Sequence, residues 1–122
     1  MNNTLTVSIP DPCLNPNKKA HWAKEGKARK KSKEDAYFVC LGSQLAGMLW
    51  DTASTDIVYY HNCVRVRDGD NHLAMLKGVF DGFAAAFVVK NDSGFRHNPV
   101  QFKIDKENPR VEITIKPIQE NR

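Results

Sequence analysis

At 122 residues the chain has the size of one domain, and a single unit over residues 1–122, with one core, is expected. Hydrophobic residues make up 41% and charged residues 26%, a globular balance, and no apolar run approaches the roughly 20 residues of a membrane span. With an opening, Met1 to Pro10, that lacks the charged-then-apolar order of a secretory signal, this predicts a cytosolic protein with no membrane partner. Three scattered cysteines, Cys13, Cys40 and Cys63, form no CxxC pair and argue against a disulfide framework or a structural zinc site.

Leu5, Val7 and Ile9 alternate with Thr4, Thr6 and Ser8, the pattern of a half-buried strand. Pro10, Pro12 and Pro16 stop it and predict an extended polar connection through Asn15 and Asn17. A long helix is expected between Trp22 and Trp50. Its second half carries Tyr37, Leu41, Gln44, Leu45, Met48 and Leu49 at helical spacing toward the core. Around its first half crowd Lys18, Lys19, Lys24, Lys27, Arg29, Lys30, Lys31 and Lys33, with only Glu25 among them, inside a net charge of +4. Such a field draws in a polyanion through counterion release, and it equally suits a solvated helix face.

Ile57 to Val66 reads as a strand ending at Arg67, with Val58, Tyr60, Val64 and Val66 on one face. The turn Asp68-Gly69-Asp70-Asn71 then opens a second helix, expected to run to about Phe87 and to bury Leu73, Leu76, Phe80, Phe83 and Phe87. After Asn91-Asp92-Ser93-Gly94, two strands follow (Val100, Phe102, Ile104, then Val111, Ile113, Ile115), and Asn108-Pro109 between them suggests a hairpin. The order β-α-β-α-β-β predicts an α+β two-layer sandwich, helices packed on one face of a mixed sheet.

The chemistry concentrates at Arg67-Asp68-Gly69-Asp70-Asn71. Two carboxylates two residues apart in an extended segment point the same way, and Asp92 can supply a third from its loop. Hard cations such as Mg²⁺ take oxygen ligands and keep several waters, so two or three carboxylates suffice. The same residues equally suit a helix N-cap and turn. A calcium loop opening at Asp68 fails, because His72, Leu73 and Val79 stand at its fifth, sixth and twelfth positions. On a straight helix Lys77 and Asp81 each fall about 20° from the direction of Asp70, so the three form one ridge. Lys77 there either pairs with Asp81 or meets a phosphate where charge develops.

These motifs, taken with Pro10-Asp11-Pro12-Cys13-Leu14-Asn15-Pro16-Asn17, His21-Trp22 and Asp81-Gly82-Phe83, resemble the RusA-type Holliday junction resolvases (crossover junction endodeoxyribonucleases) over nearly the whole chain. The resemblance implies a homodimeric, Mg²⁺-dependent nuclease, Mn²⁺ substituting, that cuts four-way DNA junctions in a bacterial cytoplasm and is commonly encoded by phages or prophages. It makes Asp68, Asp70 and Asp92 the metal carboxylates and Lys77 the catalytic lysine. Arg67 becomes a phosphate contact beside the lysines, while Asn71 and Asp81 support, Asp81 by orienting Lys77. Two positions depart from the family: Asn91 stands where a second acid is common, and Phe83 where leucine is usual. The competing reading is a branched-DNA-binding module without catalysis, or a nuclease for flaps and other branches.

Overall fold

Strand β2 (Ala53–His61) is the axis of the fold in the computed structural model, which describes residues 3–18, 21–63 and 67–118. Along one edge it pairs antiparallel with β5 (Arg110–Pro117), which pairs antiparallel in turn with β1 (Thr4–Val7). Along its other edge it pairs parallel with two short strands: β3 (Phe95–His97) against Ala53 to Thr55, and β4 (Gln101–Ile104) against Val58 to His61. Three helices, α1 (Trp22–Leu41), α2 (Gly69–Met75) and α3 (Lys77–Ala85), complete the α+β sandwich that the sequence predicts. The core between the layers is built from Leu5, Ile57, Tyr59, Leu76, Phe83, Val111, Ile113 and Ile115.

The order is therefore β-α-β-α-α-β-β-β among the described residues. The expected hairpin is absent: β4 and β5 lie on opposite edges of β2, so the Asn108-Pro109 stretch bridges across the sheet instead of turning back along it. The inward face of β2 is Ala53, Thr55, Ile57 and Tyr59, while Val58 and Tyr60 are half-buried on the other. Ser54 and Asp56 mark that outer face, but they precede the expected start at Ile57, and from there on both parities begin with apolar residues. The positions Val64 and Val66 lie outside the described residues.

Helix α1 ends at Leu41, well short of Trp50, because Gly42 and Ser43 follow. The Ser43 hydroxyl donates to the Cys40 carbonyl at 2.7 Å and accepts from the Leu45 amide, giving the chain a local alternative to another helical turn. The buried residues of α1 are Ala36 and Cys40, and Ser32 and Ala28 lie one and two turns before Ala36 on the same line. Against this stripe of small side chains lie Gly78 and Gly82 of α3. A Cβ at Gly78 would sit 2.8 Å from the Arg29 carbonyl oxygen, and one at Gly82 would press into that of Lys33. The basic helix is thus seated directly on α3.

The second predicted helix is two helices. Leu76, with φ −90° and ψ 4°, ends α2 and begins α3. Leu76 is fully buried, and its amide bonds to Leu73, three residues back, which tightens the turn and shifts the helix phase. No glycine or proline marks the break. Phe87 falls beyond α3, exposed and with a positive φ of 62°, and so is not part of the core. The proline-rich connection is not fully extended either: Pro12–Leu14 makes a 3-10 turn, with Asp11 accepting from the Cys13 amide.

Candidate active site

The start of α2 is fixed by Asp68. Its Oδ1 accepts from the amides of Asp70 (2.9 Å) and Asn71 (3.3 Å), and its Oδ2 accepts from the Asn71 side-chain amide. Capping satisfies helix-end donors that have no partner within the helix. The far end of the same turn is anchored to the sheet: buried Tyr59 donates its hydroxyl to the His72 carbonyl at 2.8 Å, and His72 Nδ1 donates to the Asp68 carbonyl at 2.8 Å. Burial pushes the Tyr59 phenol well above its ordinary range, so it stays a donor. With Asp68 engaged, Asp70 presents an exposed carboxylate without a hydrogen-bond or ion-pair partner among the described residues.

Two cavities adjoin here, sharing Leu73 and His97 as walls. Asp68, Asp70, Asn98 and Val100 line the first; Lys77, Asp81, Asp92 and Phe95 line the second. Lys77 pairs with Asp81 at 3.5 Å across one turn of α3. Asp92 reaches the second cavity from a 3-10 turn, Asp92–Gly94, capped by Asn91 through the Ser93 amide. Asn91 thus holds the loop that carries Asp92.

The break at Leu76 removes the single straight ridge: Asp70 faces one cavity, and Lys77 with Asp81 faces the next. Both sets border the same cleft, but no group of three acidic, histidine or cysteine side chains stands close enough to hold one ion among the described residues. The donors themselves are exposed carboxylate oxygens suited to a hydrated hard cation, which needs only one or two carboxylates beside waters and substrate oxygens. The residues fit such an ion held by one carboxylate of each cavity, Asp70 in the first and Asp92 in the second, better than a closed cage of three aspartates.

Arg67 bonds back to Cys63, through its carbonyl at 3.3 Å and its sulfur at 3.6 Å. Along α1, Lys24, Lys27, Arg29 and Lys33 are exposed without an acid within ion-pair reach among the described residues. Lys31 is tied to Asp35 at 2.7 Å, and Lys30 to Glu34 at 4.0 Å. Lys18 is exposed after the proline-rich turn, and Lys19 lies outside the described residues.

Sequence reasoning missed His97, which with Leu73 walls both cavities. Its Nδ1 meets the Thr55 hydroxyl at 2.6 Å, and its ring lies 4.4 Å from that of Phe80. Desolvation of the ring lowers its pKa. The only signal was a histidine five residues past Asp92, and it carries no meaning until β3 is laid beside β2. Arg96, also missed, donates to the Ser93 and Phe95 carbonyls and braces the Asp92 loop.

In comparisons with known proteins, no family model matches the chain and no curated protein matches its sequence. No helix among the described residues is long and apolar enough to cross a membrane.

Proposed function

We propose that this chain is a metal-dependent endonuclease of RusA type, which nicks branched DNA, four-way junctions foremost, in paired strands. The observation that carries the reading is the cleft itself: Asp70, Asp92 and Lys77 border two adjoining cavities, with the basic helix α1 seated on the helix that bears Lys77. A plain DNA-binding surface gains nothing from carboxylates beside phosphate. A metal-dependent phosphodiesterase uses them to hold its ion.

In this reading Lys24, Lys27, Arg29 and Lys33 hold the DNA backbone, and Asp70 and Asp92 hold Mg²⁺, or Mn²⁺ in its place. The ion would supply polarisation of the phosphate and a more acidic water. Asp68 serves by fixing the turn that aims Asp70. Lys77, released from or shared with Asp81, stabilises charge accumulating on the phosphate oxygens. A four-way junction offers two symmetric strands, so an isologous homodimer with one site per subunit is the economical assembly. The family resemblance supports a bacterial cytoplasm as its setting and a phage or prophage as its source.

The test incubates the purified protein with labelled four-way junction, flap and linear duplex, in Mg²⁺ or EDTA, beside Asp70→Asn. Symmetric Mg²⁺-dependent nicks confined to the junction, and absent in the variant, are expected. Nicks confined to flaps would move the substrate. Junction binding without cutting in any divalent ion would leave a non-catalytic binding module and sink the enzyme reading.

A further inference from the structure

Thr55 is the only polar residue among the fully buried described residues of the core, and its hydroxyl has one hydrogen-bond partner there, His97 Nδ1 at 2.6 Å. The two residues are brought together by parallel pairing of β2 with β3, in which Thr55 and His97 are register partners. A buried hydroxyl hydrogen without an acceptor is costly, whereas a hydroxyl oxygen tolerates an idle lone pair. The Thr55 O–H therefore donates to Nδ1, and the ring proton of the neutral imidazole sits on Nε2. Protonation of the ring would leave Nε2–H in place, so the donor persists in either charge state. Nε2 has no partner among the described residues, and the ring is held by Phe80 at 4.4 Å and Phe95 at 6.2 Å between centroids.

We propose that His97 is a phosphate-binding residue, donating from Nε2–H to a non-bridging oxygen of the DNA backbone as it lies between the two cavities. The inference rests on the nuclease reading for its ligand. It explains how an anion enters a cleft walled by Asp68 and Asp70 on one side and Asp81 and Asp92 on the other, where Lys77 is already paired. A rigid donor oriented by a buried hydroxyl loses little freedom on binding.

Three variants test it: His97→Phe keeps the ring on Phe80 without a donor, His97→Gln restores an N–H, and Thr55→Val removes the hydroxyl at nearly constant volume. Binding of a labelled four-way junction in EDTA is expected to weaken about tenfold in H97F and to recover within about threefold in H97Q, since hydrogen bonds to charged groups are the stronger ones. Unfolding midpoints should stay close to wild type. In ¹⁵N-edited spectra of the free protein, His97 should be the Nε2–H tautomer, shifting toward a mixture in T55V. A wild-type Nδ1–H tautomer, or H97F binding as tightly as wild type, overturns the proposal even if junctions are cut. A wild type that binds but never cuts ends the nuclease reading and leaves both measurements valid; one that does not bind the junction overturns both.

Discussion

Asp68 and Asp70 stand two residues apart in the same turn and differ in what holds them. The Asp68 carboxylate takes three hydrogen bonds from the helix it starts, whereas that of Asp70 takes none among the described residues. Asp68→Ala should therefore cost about 1 kcal/mol of stability, while Asp68→Asn and Asp70→Ala cost little, because asparagine caps as well as aspartate. Urea unfolding of the three variants checks this; an Asp68→Ala midpoint equal to wild type would remove the cap from the account. The two roles of Asp-Gly-Asp-Asn were both legible in the sequence, since cap and acidic pair draw on the same residues. His97 was not, because its meaning depends on Thr55, 42 residues earlier in the chain.

Helices α1 and α3 meet through absence of side chains. At Gly82 an added Cβ would collide with the Lys33 carbonyl and come within 3.0 Å of the Ala36 Cβ, whereas at Gly26 it meets open space. Gly82→Ala should destabilise by about 1–3 kcal/mol through overpacking, despite alanine's better helix propensity. Gly26→Ala should stabilise by about 0.5–1 kcal/mol, and denaturation curves of the pair read the contrast directly. The connection from β4 to β5 is held differently. Asp105 accepts from Arg110 at 2.8 Å and from the amides of Asn108 and Glu107, and the Arg110 bond foremost lowers its pKa. A lowered folded value means the contribution is complete above the ordinary carboxylate pKa of about 3.9 and disappears as pH falls through the folded one. Asp105→Asn should thus be less stable than wild type at pH 7, the gap in urea midpoint closing as pH drops below about 4; a gap constant with pH would refute the linkage. At this scale the sequence showed element type well, through alternation and helical spacing. It did not show the break at Leu76, which a buried leucine makes, nor the inward face of β2, because the polar Ser54 and Asp56 that mark the outer face lie before the expected start at Ile57.

At the scale of the whole molecule, the α1 cations without an ion-pair partner among the described residues lie on the helix seated against α3, whose Lys77 and Asp81 border the cleft. Reversing Lys27, Arg29 and Lys33 to Glu should weaken junction binding and flatten its dependence on log salt by about 0.9 for each phosphate no longer neutralised. An unchanged slope would mean that the helix is only solvated. The α+β layering was legible because it needs only the sequence of patterns. The pairing of strands was not, because β2 recruits neighbours from distant parts of the chain. Thr4 and Thr114 hydrogen-bond across 110 residues, and β2 gains its antiparallel neighbour only from residues 110–117. While the protein is being synthesised, then, β2 leaves the ribosome with both edges unpaired, and its longer edge stays open until β5 is made, a template for joining other unfinished chains. The lysines of α1, made early and all of one sign, keep such chains apart until β5 arrives.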